Sequence, residues 1–334
     1  MSRESPVLLA LAVACAAAPA AAQRPAILPD APVEKVFAGG FFLEGPAAAP
    51  DGSIYFSDIT NPPASGWQLG HIWRFDPATG ETRIFRSPSN QSNGLEFDAQ
   101  GRLVAAEGAN RGGRRITRTD LVTGRSTAVA LDFNGRAFNS PNDLVIDEQG
   151  RIWFTDPRYS GPETIEQPVQ GVYRIDPDGT VRLVIADAGK PNGIAISPDQ
   201  RTLYVAASDN GATGPLPAGV RARPGRIGIL AYDVAADGTV AYRGPLVEWS
   251  TGGPDGIAVD TEGDVWSSYA SAQQPSVCAY APDGRALGCL AVPEVPSNVA
   301  FGRGEERSTL YITARTGLYR VRVGREGYHL PPGS

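Results

Sequence analysis

The chain has 334 residues, with 39 glycines, 29 prolines, two histidines and a net charge of −6. That length permits one large all-β domain or two smaller ones, and the glycine and proline content suits many short strands joined by tight turns. The negative balance, with no basic patch interleaved with aromatics, argues against nucleic-acid binding.

In chain order the first predicted element is a targeting segment. Arg3 precedes "PVLLALAVACAAAPAAA", which ends in Ala20, Ala21 and Ala22 just before Gln23. This order of charged, apolar and small residues predicts a signal peptide over residues 1–22 and a mature chain over 23–334, exported to the periplasm or beyond. The apolar run is too short and alanine-rich to predict a membrane span. Lipidation at Cys15 is the less favoured alternative, because Ala12 stands where a lipoprotein site calls for a larger aliphatic residue.

Six stretches of the mature chain then align. They are "EGPAAAPDGSIYFSD" from Glu44, "NGLEFDAQGRLVAAE" from Asn93, "NDLVIDEQGRIWFTD" from Asn142, "NGIAISPDQRTLYVAA" from Asn192, "DGIAVDTEGDVWSSY" from Asp255 and "NVAFGRGEERSTLYIT" from Asn298. Each is a polar residue, a short apolar strand, an acidic or glycine turn and a second strand. A further hairpin usually follows, as in "IWRFDPATGETRIF" and "VYRIDPDGTVRLVI". Four strands per unit, at spacings of 49, 49, 50, 63 and 43 residues, predict a single-domain, six-bladed β-propeller with four-stranded blades. "VEKVFAGG" from Val33 is expected to join "GLYRVRV" from Gly317 and close the ring. Residues 208–225, rich in glycine and proline, read as a long loop near one face.

Near the chain's end, "CAYAPDGRALGC" places Asp283-Gly284 midway between Cys278 and Cys289. Asp-Gly is a hairpin signal that would set the cysteines opposite each other, so a disulfide is plausible in an exported protein; two free thiols are the alternative. His71 and His329 read as solvated residues outside the repeated positions.

In a propeller the residue before each innermost strand stands at the mouth of the central channel. That slot holds Glu44, Asn93, Asn142, Asn192, Asp255 and Asn298, all oxygen-bearing. Convergent carboxylate and amide oxygens, without thiols or imidazoles, suit a hard divalent cation, Ca²⁺ before Mg²⁺ or Zn²⁺. For any single slot, the ordinary turn-forming role of Asn and Asp is a competing account.

The motifs "FLEGPAAAPDGSIYFSD", "SPNDLVIDEQGRIWFTDPRY", "KPNGIAISPDQRTLYVA" and "GPDGIAVD", in that order, resemble the gluconolactonase / senescence marker protein (regucalcin) family, and more distantly the paraoxonases. The resemblance implies a divalent metal, calcium or zinc, held on the channel axis by Glu44, Asn192 and Asp255, with Asn142 beside it as ligand or substrate contact. It also implies hydrolysis of sugar lactones and related esters. Asp255 is then the candidate catalytic residue, as ligand and base together. Asn93, Asn142, Asp156 and Arg158 are candidate substrate contacts, with Asp209 and the Arg114–Arg115 pair of similar standing. One departure stands out: related sequences carry a histidine where this chain reads "EGANRGGRR" (residues 107–115), with two glycines inserted before the arginines. A non-catalytic Ca²⁺-binding propeller that recognises a sugar or a protein, and a paraoxonase-like esterase, are the alternative functions. The lack of a G-x-S-x-G context argues against a serine-hydrolase triad.

Overall fold

Alternating apolar residues interrupted every few positions by Asp-x-x-Gly turns leave the chain little choice but short antiparallel hairpins. The computed structural model describes residues 24–60, 69–209, 226–271 and 273–331, so the expected signal segment and residues 210–225 of the long loop lie outside the described residues. Six four-stranded antiparallel sheets follow one another around a ring. Their innermost strands are Leu43–Ala48, Ser92–Phe97, Leu144–Ile146, Pro191–Ile196, Pro254–Val259 and Pro296–Phe301, in blades one to six. Each lies against the next, and the first lies against the last. The described residues contain no α-helix, only a 3-10 turn at Gly304–Glu306.

The expected closure is present. The strand Glu34–Ala38 pairs antiparallel with Gly317–Arg322 and forms the outer edge of blade six. The first and last parts of the ring thus share one sheet, and separating the blades there requires breaking a strand pair. A small hairpin, Asp132–Phe133 with Arg136–Ala137, is an addition outside the blades.

The apolar core is divided into six clusters, one at each blade-to-blade junction. Leu43, Phe56, Phe75, Tyr311 and Leu318 fill the junction of blades six and one. Trp266, Val277, Val299 and Leu310 fill that of blades five and six. Both faces of most strands are therefore buried, which is why the strands read as near-continuous apolar runs.

The turns inside the blades are built by buried aspartates. Asp147 accepts the backbone N–H groups of Gln149 (3.0 Å) and Arg151 (2.9 Å), the Arg151 Nε (2.5 Å) and the indole N–H of Trp153 (2.9 Å). Asp260 repeats the device, accepting from Glu262, Asp264 and the indole of Trp266. The turn glycines Gly150 and Gly263 have φ of +77° and +84°, a region that other residues rarely adopt. One buried carboxylate thus fixes the turn and locks a core tryptophan. Cys278 and Cys289, directly paired across the outer strands of blade five, are joined by a disulfide.

Replacing Asp147 by alanine strands a buried guanidinium and a buried indole N–H, so Asp147→Ala is expected to lower the unfolding free energy by about 3 kcal/mol. Asp178→Ala, in an exposed turn of the same blade, is expected to change it by less than about 0.5 kcal/mol. Urea unfolding of both variants checks the contrast.

Candidate active site at the channel mouth

The slot residues sit where the innermost strands lose regular pairing. In blades two, four and five the register slips between Ser92 and Leu95, Pro191 and Ile194, and Pro254 and Ile257, leaving Asn93, Asn192 and Asp255 in bulges. A bulge re-aims a side chain that would otherwise follow the pleat, and these side chains face the channel. Neighbouring blades are tied together at this level. Gly94 donates its N–H to the Asn142 carbonyl (2.7 Å), and the Thr155 hydroxyl donates to the Asn192 carbonyl (2.6 Å). The Ser268 hydroxyl donates to the Ser297 carbonyl (2.8 Å), and the Ser297 hydroxyl to the Leu43 carbonyl (2.5 Å).

The position after each slot holds Gly45, Gly94, Asp143, Gly193, Gly256 and Asn298. This corrects the sequence alignment of blade six by one residue: Ser297, following Pro296, stands in the slot, and Asn298 is one place further on. Buried Phe301 is the counterpart of Phe97, four residues after each slot. The longer turn of residues 302–308 had obscured the register. Asn298 accordingly lies below the mouth, where its Nδ2 donates to Asp143 Oδ2 (3.2 Å). Blades three and six are opposite in the ring, so this bond crosses the axis and makes a floor. A Cβ on Gly94 would lie 2.3 Å from Asp143 Oδ1, and one on Gly256 1.9 Å from Asn298 Cγ. On Gly45 and Gly193 it would meet backbone oxygens of the next blade at 2.1 and 2.5 Å.

Above the floor is a cavity of about 1030 Å³, lined by Glu44, Asn93, Asn142, Asn192 and Asp255. The structure therefore brings these five predicted residues together. Asn192 Nδ2 donates to Asp255 Oδ1 (2.5 Å). Glu44 is buried, and burial followed by repulsion from Asp255 and Asp143 holds its carboxyl well above the usual range. Burial pushes Asp255 up to about 7, with the Asn192 hydrogen bond opposing and Asp143 reinforcing the shift. Burial also raises Asp143 to about 7.

A cation fits this set. Among the described residues neither Glu44 nor Asp255 forms an ion pair, and buried carboxylates left without a counter-charge are costly. Asn93 Oδ1 is buried in the cavity wall with no hydrogen-bond partner. Among the described residues no group of three or more His, Cys, Asp or Glu side chains is arranged to hold a metal, so a ligand set here must draw on amide oxygens.

Two predicted substrate contacts are not at the cavity. Asp156 and Arg158 are fully buried and face their own chain. The Asp156 carboxylate accepts the N–H groups of Asn139 and Ser140, both at 2.7 Å. The Arg158 guanidinium donates to the Asn139 carbonyl (2.5 and 3.1 Å) and the Glu163 carbonyl (2.6 Å). They fasten the loop that carries Asn142 rather than reach into the cavity. Arg114 and Arg115 are likewise occupied, with Glu166 at 3.3 Å and Glu107 at 2.7 Å, while Gly108, Ala109 and Asn110 of that loop do line the cavity. Asp209 lines it too, with Lys190 Nζ 3.6 Å away. His71 is half-buried beside Ser87. His329, expected in solvent, is packed at the opposite end of the channel, where burial and Arg303 depress its pKa to about 3.

Sequence reasoning passed over Tyr159. Its hydroxyl donates to the Ser208 carbonyl (3.1 Å), its ring lies under Lys190, and it lines the cavity beside Asp255. Burial, then Asp255, holds it far above the usual tyrosine range as a neutral phenol. The quoted motif "FTDPRY" ends on this residue, but an aromatic after a strand carries no signal that separates a wall from a core position.

Comparison with known proteins gives one consistent picture. Residues 42–316 match the family described as SMP-30/Gluconolactonase/LRE-like region. The chain is similar to the gluconolactonase of Zymomonas mobilis, 31% identical over 87% of this chain and 81% of that one. It is similar to the pentonolactonase XacC of Haloferax volcanii, 30% identical over 82% and 81%. A solved gluconolactonase structure from Xanthomonas campestris superposes with a TM-score of 0.74 at 29% identity, covering 90% of this chain and 94% of that one. A calcium-binding regucalcin from Agrobacterium tumefaciens, 18% identical, shares the fold with a TM-score of 0.68, covering 91% and 98%.

The carboxyl cluster sets a pH dependence. Unfolding returns Glu44, Asp143 and Asp255 to carboxylate pKa values of about 4, so between about 4 and 7 the native protein holds more protons than the unfolded chain. Stability then falls as pH rises through that window. In chelator, melting temperature is expected to drop between about pH 5 and about pH 8, and to drop less in Asp255→Asn. Thermal melts across that range check the sign.

Proposed function

The chain belongs to the SMP-30/gluconolactonase/LRE-like family, and we propose that it hydrolyses a sugar lactone at the channel mouth with a divalent cation held by Glu44, Asn192 and Asp255. It is a lactone hydrolase, a carboxylic ester hydrolase by reaction class. The observation that carries the cation is the meeting of the buried Glu44 and half-buried Asp255 carboxylates, without counter-charge, beside the unpartnered Asn93 Oδ1, inside a cavity large enough for a sugar ring. Oxygen-only donors favour Ca²⁺ over Zn²⁺, with Mg²⁺ less suited to an irregular set.

A divalent cation there would polarise the lactone carbonyl and stabilise the negative charge that develops on its oxygen. The chain's own part is to orient substrate and move one proton. Water adds to the carbonyl carbon, the ring C–O bond breaks, and the ring oxygen leaves with a proton, giving the open-chain hydroxy acid. Asp255 takes the proton of the attacking water and returns it to the ring oxygen. The amide of Asn192, bonded to Asp255, fixes the orientation of that carboxylate. Asn142 and Asn93 offer donors and acceptors to sugar hydroxyls, and the neutral Tyr159 phenol flanks Asp255. The buried Asp156–Arg158 network holds residues 139–141 and so sets where Asn142 stands. Export through residues 1–22 belongs to this reading, and the Cys278–Cys289 disulfide supports it.

Chelation is expected to abolish turnover of a small aldonolactone by the mature chain, with Ca²⁺ restoring it. Asp255→Ala is expected to lower kcat/KM by about a thousandfold. A pH-stat assay with metal analysis reads both. Full activity in chelator removes the cation from the mechanism. Bound metal with no turnover of any lactone or ester points instead to a binding module.

A further inference from the structure

We infer that the preferred substrate carries an anionic group, such as a carboxylate, and that Arg315 binds it at the cavity rim. This rests on the lactonase reading and specifies the substrate class of the same site. Among the described residues lining the cavity, Arg315 is the sole cation, in a wall that also holds the carboxylates of Glu44, Asp209 and Asp255. Asp209 has Lys190 beside it, and the proposed cation offsets the other two carboxylates, so the guanidinium remains the uncompensated charge. Arg315 is exposed, and its guanidinium makes no hydrogen bond or ion pair among the described residues.

The placement of this arginine is not what its turn would select. Arg315 follows the strand Thr309–Ala314 in the tight turn before Gly317–Arg322, with φ of +45°, where glycine or asparagine is favoured. The backbone around it is clamped. The Arg315 carbonyl accepts from Leu43 N (2.8 Å), and the Thr316 carbonyl accepts from Gly39 N (3.2 Å) and Gly40 N (3.1 Å). Glu294 holds Thr316 from the other side, accepting from its N–H (3.0 Å) and hydroxyl (2.9 Å). The residue bonded to the Arg315 carbonyl is the one before Glu44, so the turn is anchored to the strand that presents a proposed ligand. The clamped turn thus holds the Arg315 side chain at the cavity wall in a fixed place, so its charge is presented to whatever enters.

The chemistry follows from the two ends of the cavity. A lactone carbonyl directed at Asp255 leaves the far end of the sugar chain at the mouth. Phe41 and Ile59 also line the cavity and lower its polarity, and a planar guanidinium pairs with a carboxylate through two parallel N–H bonds. A neutral hydroxymethyl group at that end gains much less from it.

The test compares an aldono-1,4-lactone with the matched lactone in which the terminal hydroxymethyl is oxidised to carboxylate. Wild type, Arg315→Asn and Arg315→Lys are assayed, asparagine being chosen because it tolerates the left-handed turn. The wild type is expected to favour the acidic lactone in kcat/KM. Arg315→Asn should cut that preference about tenfold or more, chiefly through KM, with Arg315→Lys in between. The preference should also shrink as salt is raised. No wild-type preference, or a preference unchanged in Arg315→Asn, overturns the inference while leaving the lactonase reading intact. If the wild type hydrolyses neither compound, calorimetric binding of the acidic lactone decides on Arg315 separately from the lactonase reading: an affinity about tenfold or more weaker in Arg315→Asn supports its role, and equal affinity overturns it.

Discussion

Where the six inner strands pass closest to the axis there is room for two side chains, and the site is arranged around how that room is used. Asp143 and Asn298 reach across from opposite blades and bond to each other. The four equivalent positions are glycines, because a Cβ there would overlap a neighbour. The residues one place earlier are thereby lifted to the rim of this floor and turned into the cavity. The floor also supplies a carboxylate from below, and Asp143 adds to the repulsion that raises Glu44 and Asp255. Crowding at the axis thus yields both the geometry of the site and its appetite for positive charge.

A second layer keeps this geometry from relaxing. Hydroxyls of Thr155, Ser268 and Ser297 bond to slot-level carbonyls of neighbouring blades. Asp156 and Arg158, fully buried, hold the segment before Asn142, Asp156 accepting the N–H groups of Asn139 and Ser140 and Arg158 donating to the Asn139 carbonyl. These groups hold the slots at fixed separations while the inter-blade apolar clusters supply the bulk of the burial. The division of labour explains why charged residues with every outward sign of substrate contacts turn out to be fasteners.

Much of this was legible in the sequence, for physical reasons. Asp-x-x-Gly turns between apolar runs must repeat if strands are to repeat, so the blades, their number and the closing strand could be read directly. Glu44, Asn93, Asn142, Asn192 and Asp255 share one phase of that repeat, and a closed ring brings one phase to one place. Asn298 was misplaced because the shift of a single residue between slot and floor depends on a turn length that the pattern does not constrain. Asp156 and Arg158 were misread because polarity indicates a need for partners without saying whether they are solvent, substrate or backbone. Tyr159 and Arg315 left no mark, since they reach the cavity through loop geometry rather than periodicity. His329 was read as solvated because nothing local shows that the chain's last segment folds back under the ring.

That last segment has a kinetic meaning. Residues 327–330 cross the lower end of the channel, with Gly327 bridged to Asp260, the Tyr328 hydroxyl beside Glu148 and the Leu330 carbonyl held by Arg303. Between them and the floor only about 90 Å³ remains, too little for a sugar. The channel is therefore a blind well. If lactone hydrolysis takes place in the cavity above, substrate and opened acid would share one opening. Turnover would then proceed by exchange rather than by flow-through, with product acting as a competitor of substrate.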